Sequence, residues 1–341
     1  MVTVSKKEFI QALDVVVLGV AKARIAPVLQ GIEVCVGDKL TLSSTDSEVS
    51  VEAEVEGTVE ESFDVVVDGK TFVQAAKKLK RDSVSLSIKD GVLLMQSGRS
   101  KYKMQIIEGS LPKVDTPETT VCIVTSDMLQ KAIRQTIFAT DDDNLQRPFS
   151  TGVYFDGNAV STDSSRLAIS PIGIDGDFIV PARCLSLVNK LKGGLKVNKG
   201  EDYISFASDK VKVITRIIDS KYPDYKNLIP ADAPVKATVS RKKFLDAVDC
   251  ASVIEGDKVG ALFSIGDGKI TIQCSDNNTY EESIDCETEG TCDVSLSSHL
   301  VKDFLKAAEG EEVTCWFNDE LKPCKLSCDD YEYVLMPIRT R

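Results

Sequence analysis

The sequence contains one histidine and one tryptophan in 341 residues, and it has no apolar run long enough to cross a bilayer. It also lacks the glycine-rich phosphate-binding loops of nucleotide enzymes and the serine motif of α/β hydrolases. The first residues carry no apolar signal segment, so we expect a cytoplasmic protein with no membrane partner. These absences argue against a membrane protein and against a nucleotide-dependent enzyme.

The ten cysteines are not spaced as metal ligands. No two have the Cys-x-x-Cys spacing of zinc sites, and the closest pair, Cys324 and Cys328, has only His299 to complete it. We therefore predict reduced thiols, no metal and no cofactor. The thiols at apolar positions include Cys35, Cys122, Cys184 and Cys274.

One pattern occurs three times in the chain: a turn, a short strand, a hydroxyl residue and then an aspartate. It ends at Asp46, Asp163 and Asp276, so the copies lie about 115 residues apart, which is a common domain size. Solenoid repeats are much shorter. The pattern predicts three tandem domains, at residues 1–118, 119–235 and 236–341.

Each third also predicts the same order of secondary structure. Ser5, Ser126 and Ser240 precede helical runs, and we expect their side chains to cap these helices. Strand-like runs separate each of these helices from a second one. Because strands and helices do not alternate regularly, the predicted class is α+β with mostly antiparallel sheets. The second helices are predicted at 69–81, 181–192 and 297–308.

The net charge of −12 is unfavourable for a nucleic-acid-binding protein, but the charges are unevenly distributed. Acidic residues cluster in two strand-like runs, at 52–61 and 281–289. The second helices carry basic residues two turns apart, which share one helix face, so each third presents a basic surface. In register, Lys70 matches Arg183 and His299, and Lys77 matches Lys190 and Lys306.

Four segments are distinctive in composition and order. Residues 97–102 read Ser-Gly-Arg-Ser-Lys-Tyr, and residues 161–168 read Ser-Thr-Asp-Ser-Ser-Arg-Leu-Ala. Residues 222–230 read Tyr-Pro-Asp-Tyr-Lys-Asn-Leu-Ile-Pro, and residues 333–339 read Tyr-Val-Leu-Met-Pro-Ile-Arg. In this order, and together with the threefold repeat, they resemble the bacterial DNA polymerase III beta subunits, the β sliding clamps.

The resemblance implies three tandem copies of a DNA-clamp domain and a head-to-tail homodimer that closes a ring around duplex DNA. Such a ring is not an enzyme; it is a processivity factor that slides along DNA and tethers the replicative DNA polymerase. Its helices would contact the DNA backbone without reading the base sequence. The resemblance places Tyr102 at the dimer interface, facing Val253 and Ile254.

The DNA contacts expected from the resemblance and from the basic helix faces are all lysines or arginines. They are Lys22, Arg24, Lys70, Lys77, Lys80, Arg134, Arg147, Arg183, Lys190 and Lys306.

The family's second site is an apolar surface pocket that binds short peptides of the polymerase, the clamp loader and repair proteins, and that the C-terminal tail closes. An adaptable methionine and apolar walls suit the leucine and phenylalanine side chains of an extended peptide. By the resemblance, the pocket residues are Thr162, Arg166, Leu167, Pro223, Leu228, Val334, Leu335, Met336, Pro337, Ile338 and Arg339.

The chain departs from the family pattern near this pocket. Ser164 and Ser165 stand where the family has Gly-His, and Asn227 stands where it has arginine. Such departures fit a diverged or phage-encoded clamp, and they leave the depth and the peptide preference of the pocket open. We expect removal of residues 334–341 to leave the dimer intact and to abolish polymerase stimulation.

Two other functions are compatible with parts of the sequence. The repeated aspartates could hold Mg²⁺ for phosphoryl chemistry, but each lies in a separate domain and is more simply a turn cap. A protein-interaction scaffold that binds no DNA could also use three repeated domains. Such a scaffold would tolerate charge reversal at Lys77 and Lys190, whereas a clamp would be retained less well on DNA.

Overall fold

The computed structural model describes residues 1–22, 26–141, 144–230, 233–255, 260–275 and 278–339. Two residues of the sequence predictions, Arg24 and Asp276, lie outside these ranges. The described residues form six α-helices and 26 strands, and the strands pair in antiparallel fashion, which confirms the α+β class. No helix among them is long and apolar enough to cross a membrane.

The helices are α1 (Lys6–Val16), α2 (Gly69–Lys78), α3 (Ser126–Thr136), α4 (Ala182–Val188), α5 (Arg241–Ile254) and α6 (Ser298–Ala307). The strands before residue 150 are β1 (Val2–Ser5), β2 (Gly31–Val36), β3 (Leu40–Thr45), β4 (Val49–Val55), β5 (Gly57–Val59), β6 (Phe63–Asp68), β7 (Ser83–Lys89), β8 (Val92–Ser97), β9 (Ser100–Ile107) and β10 (Thr120–Thr125). Those up to residue 240 are β11 (Gly152–Phe155), β12 (Asn158–Thr162), β13 (Arg166–Pro171), β14 (Phe178–Pro181), β15 (Gly194–Lys199), β16 (Tyr203–Ala207), β17 (Val211–Arg216) and β18 (Val235–Ser240). The last are β19 (Ala261–Gly266), β20 (Lys269–Ser275), β21 (Thr279–Asp285), β22 (Glu287–Glu289), β23 (Cys292–Leu296), β24 (Glu312–Phe317), β25 (Cys324–Cys328) and β26 (Tyr331–Leu335).

One compact unit comprises Met1–Leu129 and Arg183–Ile217. Its strands form a 13-stranded sheet in the order β10-β15-β16-β17-β4-β3-β2-β6-β9-β8-β7-β1-β5. Helices α1 and α2 pack together through Phe9 and Phe72, whose ring centroids lie 5.6 Å apart in an edge-on arrangement. Both rings are fully buried, so this contact fixes the helix pair.

The other compact unit comprises Gln130–Ala182 and Ile218–Arg341. It contains a nine-stranded sheet, ordered β14-β11-β12-β13-β26-β25-β24-β18-β22, and a four-stranded sheet, ordered β21-β20-β19-β23. Strand β26 lies in the middle of the larger sheet, and both of its faces are buried. The division of the chain into three domains at 1–118, 119–235 and 236–341 stays a prediction.

The prediction that serine side chains cap the first helix of each third is wrong. Helices α1 and α5 do begin directly after Ser5 and Ser240, but neither side chain makes a capping hydrogen bond. Both serines are the last residues of strands, β1 and β18, so the chain passes from strand to helix without a capping turn. Helix α3 begins at Ser126 itself, and the hydroxyl oxygen of Thr125 accepts the N–H of Met128 at 3.3 Å.

The predicted second helices exist, but two of them end early. Helix α2 ends at Lys78, and α4 covers only Ala182–Val188, so Lys190 lies beyond its end. The Lys190 N–H donates to the Leu187 carbonyl at 3.0 Å, and such short-range bonds tighten and terminate a helix. Lys190 therefore does not continue the α4 face that carries Arg183.

Candidate DNA and partner interfaces

The repeated hydroxyl–aspartate pattern forms a hairpin turn. In the first copy, between β3 and β4, the Thr45 hydroxyl accepts the N–H of Ser47 at 3.1 Å. Asp46 Oδ1 accepts the N–H groups of Glu48 and Val49 at 3.0 and 2.8 Å. These bonds satisfy the backbone donors of a turn that has no ladder partner for them.

The second copy, between β12 and β13, repeats these bonds. The Thr162 hydroxyl accepts the N–H of Ser164 at 3.1 Å, and Asp163 Oδ1 accepts those of Ser165 and Arg166 at 2.9 and 3.1 Å. Ser164 has a φ of 80°, a left-handed conformation that favours glycine. The serine that replaces the family's glycine therefore keeps the turn conformation, and its hydroxyl accepts a hydrogen bond from Arg147.

The turn geometry supports capping, and not metal binding, as the role of the repeated aspartates. No group of three or more His, Cys, Asp or Glu side chains in the described part of the chain is arranged to hold a metal ion. Burial raises the pKa of the Cys184, Cys315 and Cys324 thiols above the ordinary value, which disfavours thiolates there.

In the two copies that the structure describes, the second carboxylate oxygen of the turn aspartate pairs with an arginine. Asp46, whose side chain is almost fully buried, pairs with the guanidinium of Arg183 at the start of α4. In the second copy, Asp163 Oδ2 accepts the Nε–H of Arg166 at 2.7 Å. Arg183, which was predicted to contact DNA, is therefore already neutralised by a carboxylate of its own unit.

Arg166 is held by three groups at once. Besides the bond to Asp163, its Nη1 donates to Asp303 of α6 at 2.7 Å, and its Nη2 donates to the Phe138 carbonyl at 2.6 Å. The guanidinium also lies over the Phe138 ring, 5.2 Å from its centroid. Burial opposes the charge, but Tyr333, Asp303 and Asp163 raise the pKa of Arg166 above its ordinary value. The side chain is only 11% exposed, so it connects protein groups rather than offering donors to a ligand.

Several predicted pocket residues do lie together. Leu167 and Val334 belong to one apolar cluster, which also contains Tyr222 and Tyr225. Pro223 and Leu228 lie in the same short segment as these tyrosines, and Leu228 is 55% exposed. Exposed apolar side chains of this size, above a packed apolar layer, are typical of a peptide-binding surface.

Not every predicted pocket residue reaches this surface. Leu335 packs into the other apolar cluster of the unit, because successive side chains of β26 point to opposite faces of the sheet. Thr162 is buried, and its hydroxyl donates to the Arg166 carbonyl at 2.6 Å.

The C-terminal tail is attached at two points. The N–H of Met336 donates to the Ser165 carbonyl at 2.9 Å, and the N–H of Ile338 donates to the Ser295 carbonyl at 2.8 Å. Met336 is 43% exposed between these two anchors, while Pro337 and Ile338 are half-buried and Arg339 is exposed. The tail thus presents an exposed methionine and an exposed arginine on a fixed backbone.

The predicted DNA contacts fall into two groups. Six of them, within the described residues, are exposed and make no ion pair: Lys22, Lys70, Lys80, Arg147, Lys190 and Lys306. Others are held by carboxylates: Lys77 Nζ lies 2.6 Å from Asp14 Oδ1, Arg134 Nη2 lies 2.9 Å from Glu309 Oε1, and Arg183 pairs with Asp46.

The residues predicted for the dimer interface lie beside unpaired strand edges. Tyr102 is half-buried on β9, whose residues 100–105 pair with β8 only, in the described part of the sheet. Val253, near the end of α5, is 80% exposed, and Ile254 is half-buried. Strand β21, which packs against α5, is the edge of the four-stranded sheet.

Comparisons with known proteins give a consistent result over the whole chain. Three profiles of the DNA polymerase III beta subunit match it in order: the N-terminal domain at 1–114, the central domain at 123–224 and the C-terminal domain at 226–339. The chain is 25% identical to the beta sliding clamp of Bacillus subtilis and 26% identical to that of Staphylococcus aureus, over 99% of both chains in each case. The DNA polymerase III beta subunit of Thermotoga maritima has the same fold, with a TM-score of 0.91, 24% identity and coverage of 100% of this chain and 99% of that one. The beta subunit of Pseudomonas aeruginosa gives a TM-score of 0.93 at 22% identity, with both chains fully covered.

Proposed function

The chain belongs to the DNA polymerase III beta subunit family. From that membership we propose which of its surfaces close the ring, contact DNA and bind partner peptides. It is a non-catalytic processivity factor of DNA replication, which works by holding a polymerase on duplex DNA. The observation that carries this conclusion is the match of all three clamp domains in order along the chain. A cytoplasmic location, where the chromosome of a bacterium is replicated, follows from the same proposal.

The ring would close by strand addition between two copies. Residues 100–105 of β9 and the outer side of β21 are both free edges, and two such edges can pair as antiparallel strands. Lys101 and Lys103 are exposed on β9, whereas Glu281 and Asp285 are exposed on β21. Opposite charges on paired strands stabilise the pair and select its orientation. Tyr102 would then cover the exposed Val253 of the second copy.

Duplex DNA would be held by the cations that are free of carboxylates. These are Lys22, Lys70, Lys80, Arg147, Lys190 and Lys306, to which the sequence adds Arg24, outside the described residues. Lysine contacts to phosphates carry no base information, which suits a protein that must slide. Retention on DNA then depends on ring closure, so a few such contacts suffice.

Charge reversal at two of these lysines tests the DNA contacts. We expect Lys70→Glu with Lys190→Glu to weaken binding of a labelled duplex about tenfold or more and to flatten its salt dependence, because phosphate contacts are lost. Fluorescence anisotropy at increasing NaCl concentrations measures both. Lys196→Glu, which reverses an exposed lysine on strand β15, is the matched control. A protein-interaction scaffold would show the same weak binding in all three proteins.

Partner proteins would bind the surface formed by Leu228, Met336 and Arg339 above the apolar cluster that contains Leu167 and Val334. We assign to it the peptides of the replicative polymerase, the clamp loader and repair proteins. The two exposed apolar side chains can bury leucine and phenylalanine side chains of an extended peptide, and each buried large side chain contributes about 1.5–3 kcal/mol.

Removing these two side chains tests the peptide site. Leu228→Ser with Met336→Ser should weaken binding of a capped peptide that contains leucine and phenylalanine by about tenfold or more, because apolar area is no longer buried. Isothermal titration calorimetry measures the affinity. Ile123→Ser, at an exposed apolar position on β10, should bind like the unmodified protein. Equal affinities for the double variant and the unmodified protein would exclude this surface as the peptide site.

A further inference from the structure

An exposed ion pair joins the two helices of the first third. The Oδ1 atom of Asp14 on α1 lies 2.6 Å from the Nζ atom of Lys77 on α2, and both side chains are half-exposed. Lys77 is on the basic face that the sequence predicts for contact with DNA. In the structure, its charge is therefore balanced before any phosphate approaches.

The last third also has an ion pair between its two helices, although its lysine is Lys302 and not Lys306, which matches Lys77 in register. Asp249 Oδ1 on α5 lies 2.6 Å from Lys302 Nζ on α6, and this lysine also donates to the Ser252 hydroxyl at 3.1 Å. The hydrogen bond from Lys302, followed by its positive charge, lowers the pKa of Asp249, which keeps the carboxylate ionised. A second helix pair thus also joins an aspartate of its first helix to a lysine of its second.

The two aspartates occupy equivalent places in the repeat. Asp14 follows Ser5 by nine residues, and Asp249 follows Ser240 by nine residues. In the second third this position is Gln135, a buried neutral side chain that accepts a hydrogen bond from Ser170 at 2.6 Å. Two of the three first helices therefore place a carboxylate opposite a lysine of the second helix.

Helix packing does not require the Asp14–Lys77 pair. The buried Phe9–Phe72 contact already joins α1 to α2, and exposed ion pairs add little to stability. The main physical effect of Asp14 is therefore on the charge that the helix pair presents outward. Neutralising one lysine removes one counterion-releasing phosphate contact from the binding equilibrium.

We propose that Asp14, and to a smaller extent Asp249, lower the affinity of this clamp for DNA, because each pairs with a lysine that would otherwise bind a phosphate. This inference rests on the proposed function, in which these helices face the duplex. Fewer phosphate contacts weaken the non-specific hold on the backbone and so favour sliding. The smaller role of Asp249 follows because Lys302 is less exposed than Lys77 and has the Ser252 hydroxyl as a second partner.

The salt dependence of DNA binding tests this inference. Each phosphate contact adds about 0.9 to the slope of log affinity against log salt concentration, so Asp14→Asn should steepen the slope by about 2 for a ring of two protomers. Asp249→Asn should steepen it less. The matched control is Glu54→Gln, which releases Lys39 in the turn between β2 and β3, away from the helices, and should leave the slope unchanged. The probe is a labelled duplex, followed by anisotropy over a range of NaCl concentrations.

A double variant separates a released lysine from a general change of charge. Asp14→Asn with Lys77→Gln should return to the slope of the unmodified protein, because no lysine remains to be released. An unchanged slope in Asp14→Asn, or an equal change in Glu54→Gln, would overturn the inference while leaving the clamp function in place. Salt-independent DNA binding by the unmodified protein would instead contradict the proposed function itself.

Discussion

Replacing Arg166 with methionine should lower the free energy of unfolding by about 3 kcal/mol, because it leaves two carboxylates without their shared counter-charge. Asp163 is mostly buried, while Asp303 is partly exposed and can regain water, so the loss lies at the lower end for buried ion pairs. The variant also loses the hydrogen bond to the Phe138 carbonyl. Urea denaturation followed by the fluorescence of the single tryptophan, Trp316, reports on this unit directly.

A matched variant separates this structural role from peptide binding. Arg339→Met removes an exposed arginine of the tail, so we expect unchanged stability and weaker binding of a partner peptide. Asp303→Asn should cost less than Arg166→Met, since Asp163 keeps its arginine. If Arg166→Met unfolds at the same urea concentration as the unmodified protein and loses only peptide affinity, Arg166 is a peptide ligand after all.

The position of β26 shows what sequence patterns can and cannot predict about the pocket. The resemblance brings Leu167, Leu228 and Met336 to one region. In the structure Leu167 belongs to one apolar cluster, and Leu228 and Met336 are exposed close in sequence to its members Tyr225 and Val334. The resemblance does not reveal that β26 is a central strand with both faces covered, because one of its two neighbours, β13, lies more than 150 residues away in sequence. Removing residues 334–341 would cut into this strand, so a truncation that tests the pocket should begin at Met336.

The basic helix faces show a second limit. The sequence spacing correctly predicts exposed lysines on the second helices, such as Lys70 and Lys306. It does not predict which cations are neutralised, because Asp14, Glu309 and Asp46 come from other elements of the chain. The end of α4 was also missed, since backbone bonds after Val188, and not composition, terminate the helix. The sequence did contain a signal for the position of Asp14, because an aspartate also follows the equivalent serine by nine residues at Asp249.

Reversing the charges on the free edge of β9 should dissociate the proposed dimer. Lys101→Glu with Lys103→Glu would place like charges directly or diagonally across from Glu281 and Asp285 of β21, and like charges on paired strands are destabilising. With two such interfaces in a ring, the penalty applies twice. Sedimentation at micromolar concentration should show monomers, and the variant should leave closed circular DNA as readily as linear DNA.

The converse substitution decides whether the edges really meet. Adding Glu281→Lys and Asp285→Lys to the same chain restores opposite charges across the interface, so the dimer and its retention on circular DNA should return. Lys89→Glu, which reverses an exposed lysine at the end of β7, should leave the dimer intact. A dimer that persists in Lys101→Glu with Lys103→Glu would exclude β9 as the closing edge. The swap restores opposite charges only if β9 and β21 face each other. Failure to restore the dimer would therefore show that β9 pairs with a different strand.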